Sequence, residues 1–487
     1  SHDIWIQGFW GANTIPITLF FASLLSVGCF LFNQRRHGRK EGQKYPPVAP
    51  GRWWKHAQLR LSSRRAYWLL DIAREHKIQV FRVPFPNPLS LHGKKYLTVV
   101  GETAAFRSVL TDPLTKKPAV VYSYFKGIFR GTPTIFTMNG PTWHSKRKAV
   151  APAFSSNHIK RMTAVSLEMT EEWIQETLMK QTENESFDVA EEINGIVISA
   201  LSETAYEYKL SEEEMKFITA SLRLAMVEFT RKSMVIPLRK FLGWLIPERR
   251  RAIAETDKLF KLVGKIMDAY RNKEPSTKVE GTIIKLIMES EAFPTEQEKA
   301  AQLLEFIVAG HDTTAYSISF ILIELARNPN EQMKLRESLS KLSPENWTGS
   351  EHLRRIINEG MRLHPVGRSL RENGRDIKTS KDELLPKGSV AVLNFMLLFR
   401  NPDIFEEPDS FLPSRWENPT REMLDAFNPF SLGKQNCIGQ SLARANTFGI
   451  IARICSEFEL SLESEGYVDF CLTVKPVGYY LKARRIQ

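Results

Sequence analysis

Cysteine is scarce in this chain: four occur among 487 residues, at Cys29, Cys437, Cys455 and Cys471. No two share the close spacing of a disulfide framework or a zinc site, and their sparseness points to a reducing compartment. Repeats, low-complexity tracts and nucleic-acid-binding motifs are absent as well. The excess of 67 Lys and Arg over 55 Asp and Glu, a net charge of +12, therefore reads as attraction to an anionic membrane or an acidic protein rather than to nucleic acid. Long uncharged apolar runs are also missing, save one: Ile15 to Phe32 carries no charge. That is near the lower limit of the roughly 17–25 residues of a spanning helix. Phe9 and Trp10 suit one interface. Arg35, Arg36, Arg39 and Lys40 follow and would hold that flank in the cytosol. A cleaved signal peptide expects its charge before the apolar run, not after it. Residues 1–40 are thus expected to form a single-pass anchor. Tyr45-Pro-Pro-Val-Ala-Pro-Gly51 then makes 41–52 a stiff linker, since proline fixes φ.

A short β unit is expected between Val80 and Val100, where Val80-Phe-Arg-Val and Tyr96-Leu-Thr-Val-Val100 flank turn residues. Thr142 to Arg336 reads as helices. The clearest opens at Thr295 in a capping box with Glu298. It runs through Leu303, Leu304, Ile307, Val308, Ile318, Ile321, Leu322 and Leu325 and stops near Asn328-Pro329. From Lys387 short strands and loops return.

The most informative run is Phe430-Ser-Leu-Gly433-Lys-Gln435-Asn-Cys437-Ile-Gly439, followed by the helical stretch Gln440-Ser-Leu-Ala-Arg. Gly433 and Gly439 permit tight bends and the approach of a flat group. The helix that follows directs its positive end at the sulfur and favours thiolate. A thiolate so held can be the lone axial ligand of haem iron; the plainer alternative is a small buried hydrophobe. The run resembles the haem-binding signature of the cytochrome P450 monooxygenases, Phe-x-x-Gly-x-Arg-x-Cys-x-Gly. It departs at Gln435, where the family usually has a base that pairs with a haem propionate; Gln435 can donate a hydrogen bond but brings no charge. The resemblance covers nearly the whole chain after the anchor. It implies a mainly α fold with a minor β region, the catalytic domain occupying 53–487.

Further motifs fit the same family. Ala309-Gly-His311-Asp312-Thr313-Thr314 places poor helix formers inside the long helix, and threonine hydroxyls can bond back to carbonyls and open a turn there. The string resembles the oxygen-activation motif, which implies that Thr313 holds dioxygen and water while Asp312 relays protons. His311 lacks a second ligand at helical spacing, so a structural or solvent-facing role is expected rather than metal binding. Alanine at 309 rules out the covalent haem link that some relatives make through a glutamate there. Glu359-Gly-Met-Arg362 with Arg415 resembles the family's buried Glu–Arg–Arg network, a structural brace. Trp143-His-Ser-Lys-Arg147 is similar to the Trp-x-x-x-Arg helix whose donors meet a propionate; an ordinary basic helix face is the alternative. Arg371 resembles another propionate partner, Arg368 less clearly so. Lys146, Lys148, Lys434 and Arg444 form either a docking patch for an acidic electron donor or a merely solvated face. Tyr124, Phe125, Ile128, Phe129 and Ile135, with the turn after Leu472, lie by family position around the substrate; core packing explains them equally well.

The resemblance implies a membrane-anchored monooxygenase with haem b. It would insert one oxygen atom from dioxygen into a lipophilic molecule such as a fatty acid, sterol, terpenoid or xenobiotic. Electrons would come from NADPH through a cytochrome P450 reductase, with cytochrome b5 a second candidate donor, at the endoplasmic reticulum membrane with the catalytic domain in the cytosol. A family member that rearranges peroxides is the nearer alternative, but such enzymes tend to lose the acid–threonine pair that Asp312-Thr313 retains. A non-catalytic haem sensor is the other.

Overall fold

The computed structural model describes residues 43–486 apart from 52–54, 57, 60–61, 85–95, 181–184 and 242; the expected anchor lies outside the described residues. In chain order, the elements that position the site are strands β1 (Val80–Pro84) and β2 (Tyr96–Val100), helices α1 (Gly140–Val150), α2 (Val189–Tyr206), α3 (Glu296–Arg327) and α4 (Glu351–Leu363), strands β3 (Ser369–Glu372) and β4 (Val390–Leu393), helix α5 (Gln440–Glu457), and strands β5 (Phe458–Ser464), β6 (Tyr467–Phe470), β7 (Val474–Val477) and β8 (Tyr480–Arg485).

The strands expected around Val80 and Val100 form an antiparallel pair, Val80 opposite Val100. They are the edge of a sheet ordered β1-β2-β4-β3, in which β4 joins β2 in parallel and β3 antiparallel. The period-two alternation sends Phe81, Val83, Leu97 and Val99 into the main core. Val80, Val100, Ala391 and Leu393 face a second core with Phe106, Phe399 and Trp416. Both faces are covered, which is why these strands are almost continuously apolar. Residues of the proline-rich segment run along β1: the Arg82 amide donates to the Pro47 carbonyl at 2.7 Å, and Ala49 is buried.

α3 begins as expected, with Thr295 Oγ1 accepting from the Glu298 amide. The reciprocal half of the capping box does not form, because the Glu298 carboxylate turns to Lys146, 3.5 Å away. α3 is apolar on nearly every side and buried on nearly every side, as a helix crossing the centre of a helical body must be. Its length and hydropathy would suit a membrane, but protein covers it. The expected break at Ala309–Thr314 does not occur: 32 residues run as one α-helix. Thr313 and Ser317 do bond back, to the Ala309 and Thr313 carbonyls, each at 2.8 Å; these bonds leave the ladder intact. α2 and α5 pack against α3, and β6 and β7 form a hairpin beside it.

Candidate active site

The Cys437 loop is shaped by its backbone. Ser431 and Gly433 both have positive φ, 66° and 73°. At Gly433 any Cβ would also collide with the Leu110 carbonyl, so glycine is required there. The Cys437 amide donates to the Phe430 carbonyl at 2.9 Å, which turns the chain into α5. Gly439 differs: its φ is ordinary (−85°), and an added Cβ would make only normal contact with Phe154. Nothing in the protein itself demands glycine there.

Protein encloses Cys437 on most sides, yet the residue stays accessible. Burial pushes its thiol up, and the Gly439 amide and Arg147 pull only part of that back. The sequence led us to expect the helix end to favour thiolate; burial acts in the opposite direction on the sulfur.

Donors gather around this loop. Arg147, on α1, donates to Asn436 Oδ1 at 2.8 Å. Arg371, on β3 and buried, donates to the Gln435 carbonyl at 3.3 Å and bonds the Tyr122 hydroxyl. Gln435 Nε2 donates to Asn139 Oδ1 at 3.1 Å. The buried Trp143 indole N–H has no partner among the described residues. The bonds of Arg147 and Arg371 among those residues go to Asn436, the Leu370 and Gln435 carbonyls and Tyr122, none of them a carboxylate. The structure adds Lys117, which sequence reasoning missed. It is buried, donates to the Ile135 and Met138 carbonyls at 2.6 and 3.3 Å, and sits 5.5 Å from the Trp143 ring centroid. Burial lowers its pKa, Glu305 opposes this, and Arg371 and Arg147 add to it. In sequence Lys117 is only the second of two lysines before a proline; folding alone takes it inside.

Arg368 does not join this group. It is an odd number of residues from Arg371, so the alternation at the start of β3 sends it to the other face. There it meets the Ala66 carbonyl and the Phe470 ring. The suggested docking patch also shrinks: Lys146 is 3 % exposed and belongs to the interior, whereas Lys148 and Lys434 are exposed and Arg444 lies over the Phe430 ring.

On α3, Ala309 is exposed although the residues before it are buried, and Thr313 is half-exposed one turn later. Asp312 Oδ1 lies 3.2 Å from His311 Nε2 and accepts from Asn194 at 3.3 Å; the Tyr316 hydroxyl bonds the same carboxylate. His311 Nδ1 faces the Ile307 carbonyl at 2.5 Å. Both ring nitrogens therefore face acceptors, which suits imidazolium. His311 is buried, not solvent-facing. Burial would lower its pKa, but Asp312 and the Ile307 carbonyl reverse the sign and raise it; burial opposes Asp312 ionisation too, and His311 outweighs it. A raised histidine stabilises the fold at low pH and stops doing so as pH rises through its folded pKa; a depressed aspartate stops only in strong acid. Stability should therefore fall as pH climbs past the ordinary imidazole value of about 6.5. His311→Gln should flatten that alkaline arm in thermal melts at stepped pH; an unchanged slope would remove His311 as its source.

Glu359 is fully buried on α4 and accepts from Arg362 Nε and Nη2 (2.9 and 2.8 Å), Arg415 Nε (3.0 Å), the Leu412 amide (2.9 Å) and Trp416 Nε1 (2.9 Å). Arg362 spends its remaining donors on the Phe399, Pro408 and Ser410 carbonyls. Trp416, which the motif did not include, packs on Phe427 at 4.6 Å, and Phe427 leads into the cysteine loop. The aromatic residues expected around a substrate, Tyr124, Phe125, Ile128, Phe129 and Ile135, are buried. Their segment is pinned to α3: the Ile135 and Phe136 amides donate to Gln302 and Glu305, at 3.0 and 2.8 Å.

The helical body with small sheets, the long central helix and the glycine-bent cysteine loop agree with the mainly α class of haem protein that the motifs imply. The family model described as Cytochrome P450 matches residues 76–482, and the chain belongs to the cytochrome P450 family. It is a cytochrome P450 monooxygenase, an oxidoreductase with haem as cofactor that acts on lipophilic substrates. Among curated relatives, it is 25% identical to Cytochrome P450 4d8 of Drosophila melanogaster over 364 residues, 66% of this chain and 77% of that one. It is 23% identical to Cytochrome P450 3A40 of Oryzias latipes over 417 residues, 78% and 81% of the two chains. It is 26% identical to Cytochrome P450 4F8 of Homo sapiens over 389 residues, 73% and 74%.

Proposed function

We propose that Cys437 is the axial ligand of the haem iron and that Trp143, Arg147, Arg371 and Lys117 hold the haem propionates. One observation carries this reading: beside the cysteine loop stand a buried, unpartnered indole N–H and two arginines without a carboxylate partner among the described residues. Donors of this kind suit an anionic group. The Gly439 position, where neither conformation nor packing excludes a Cβ, fits a flat group lying close. Phe430 and Gly433 shape the loop, and Gln435 fixes it to Asn139 rather than supplying charge. Lys117, whose pKa burial lowers to about 7, would hold the charge that Gln435 lacks when an anion lies beside it.

Haem, when bound, supplies the oxygen-atom transfer chemistry. The chain's own residues supply the rest. Asp312, ionised against His311 and bonded by Asn194 and Tyr316, is poised to accept and pass a proton. The Thr313 hydroxyl, half-exposed beside Ala309, can accept a hydrogen bond from water while it donates to the Ala309 carbonyl, and would donate to dioxygen only on releasing that carbonyl. Glu359, Arg362 and Arg415 are structural, bracing the loop through Trp416. Electrons reach the site from NADPH through a reductase, and Lys148 and Lys434 offer it a basic face. The uncharged run at 15–32 and its basic flank support an anchor in the endoplasmic reticulum membrane with the domain 53–487 in the cytosol, beyond the linker 41–52. Fatty acids, sterols, terpenoids and xenobiotics all fit the aromatic surroundings.

The test is the spectrum of the reduced protein with carbon monoxide, together with NADPH consumption in the presence of a reductase. A strongly red-shifted Soret band and substrate-dependent consumption are expected. An ordinary haem-protein band in folded protein would overturn the assignment of Cys437.

Gln435→Arg should leave haem retention unchanged or raise it. Lys117→Met should speed haem loss on the order of tenfold, the worth of one charged hydrogen bond. Combining the two should restore most of the retention, measured by haem transfer to apomyoglobin. Clear haem loss in Gln435→Arg would show that this loop holds the propionate side differently.

A further inference from the structure

The cations beside the cysteine loop share the interior with a carboxylate that the proposed chemistry does not use. Glu305, on α3 about one turn before Ala309, is 5 % exposed. Its Oε2 accepts from the Phe136 amide at 2.8 Å and its Oε1 from Gln302 Nε2 at 2.9 Å. Thr134 adds a further bond. Gln302, buried about one turn earlier, uses its own side-chain oxygen to accept from the Ile135 amide at 3.0 Å. Both oxygens of Glu305 thus face donors, the arrangement that suits the ionised form. Burial pushes the carboxyl up; the bonds from Thr134, Phe136 and Gln302 and the charge of Lys117 pull against it. Tyr206, another titratable neighbour, spends its hydroxyl on the Leu303 carbonyl at 3.0 Å.

Lys117 grips the same segment by its carbonyls. Its Nζ donates to Ile135 and Met138, while Gln302 and Glu305 hold the Ile135 and Phe136 amides. Asn139 fixes the Lys117 backbone: its Oδ1 accepts from the Lys117 amide at 2.9 Å, and its Nδ2 donates to the Lys117 carbonyl at 3.0 Å. The same Oδ1 accepts from Gln435. Through these bonds the ammonium is tied both to α3 and to the cysteine loop. Lys117 feels Glu305 as an opposite charge and Arg371 and Arg147 as like charges, and like charges gathered in a low-dielectric interior repel strongly. Haem b carries two propionates. Set against Lys117, Arg147 and Arg371, those two negative charges leave one cation over, and Glu305 offsets it.

We infer that Glu305 is a positioning residue for the haem: it holds the Lys117 ammonium toward the cysteine loop and brings the net charge of the buried set to the two that the propionates balance. The role rests on the propionate assignment proposed above. Its consequence is electrical. A negative charge fixed in the interior disfavours the reduced iron, so Glu305 lowers the reduction potential and Lys117 raises it.

The test is the ferric–ferrous midpoint potential of the purified full-length holoenzyme, from a dye-mediated reductive titration followed at the Soret band. Glu305→Gln removes one negative charge and keeps the shape. It should raise the potential, moving the ferric–ferrous balance about tenfold, roughly 59 mV for a one-electron couple. Lys117→Met should lower the potential by a similar amount. The double variant should return close to wild type, because the two lost charges cancel. Lys117→Arg and Gln302→Leu, which keep the charge, should stay near wild type, although the second breaks the tie to Ile135. Opposite shifts that cancel are not what a merely structural role gives. An unmoved potential in Glu305→Gln would overturn the inference. So would shifts of the same sign in both single variants, or a shift in Gln302→Leu equal to that in Glu305→Gln, which would assign the effect to loop placement. Thermal melts of each variant identify misfolding; should Glu305→Gln unfold, Lys117→Met and Lys117→Arg decide, with a fall required in the first and none in the second. The carbon monoxide spectrum of the same samples separates the two readings: a thiolate band with unmoved potentials sinks only the role of Glu305, and an ordinary haem-protein band sinks the ligation by Cys437.

Discussion

Cys437→Ser is expected to abolish the red-shifted Soret band of the reduced, carbon monoxide-bound protein completely while leaving the fold in place. The loop is held through backbone bonds, the Cys437 amide to Phe430 and the turn at Gly433, and serine keeps both. What serine cannot provide is an anionic sulfur. A serine hydroxyl does not ionise near neutrality, so the electron donation that a thiolate gives iron is lost. The measurement is the difference spectrum alongside a far-ultraviolet dichroism melt. A retained band in the variant would move ligation to another cysteine. Cys455 is an unsuitable replacement: it is fully buried among apolar residues of α5, and burial pushes its thiol up to about 12. A spectral loss accompanied by unfolding would count against the claim that the backbone alone shapes the loop.

The second large effect is expected at Glu359→Gln. The carboxylate receives bonds from two arginines, an indole and a backbone amide, and it is fully buried. Glutamine keeps the shape, but its amide nitrogen cannot accept. One side of the cluster then faces donors with a donor, and the fully buried Arg362 loses its counter-charge. Breaking a buried pair from one side costs about 3–5 kcal/mol, a large share of the roughly 5–15 kcal/mol that stabilises a domain. The expected outcome is a marked drop in soluble, haem-loaded protein and in its thermal midpoint. Because Trp416 carries the network to Phe427 and so to the cysteine loop, haem content should fall before helicity does. A midpoint matching wild type would show that the cluster is not a brace.

Much of the site could be read in the sequence because its parts are local. A loop's turn residues, the capping oxygen of Thr295, the acid–base spacing of Glu359 and Arg362 and the alternation in β1 and β2 each act within a few positions. The misreadings share one cause. The half-formed capping box, the unbroken α3, the interior position of Lys146 and the thiol raised rather than lowered all depend on what packs against the residue from elsewhere. Helix propensity argued for opening the Ala309–Thr314 turn; the ladder of the 32-residue helix on either side keeps it closed. The helix end argued for a thiolate; desolvation by the surrounding body acts in the opposite direction.

The sequence by itself determined the cysteine loop and its glycines, the acid–threonine pair, the Glu–Arg–Arg set and the alternation of helical body and small sheets, because periodicity and turn chemistry are written along the chain. Only the tertiary structure decided which cations stand together. Lys117 comes beside Trp143, and Arg371 parts from Arg368 across a strand. Charge and burial act through space, and distance along the chain carries no information about them until the fold is closed.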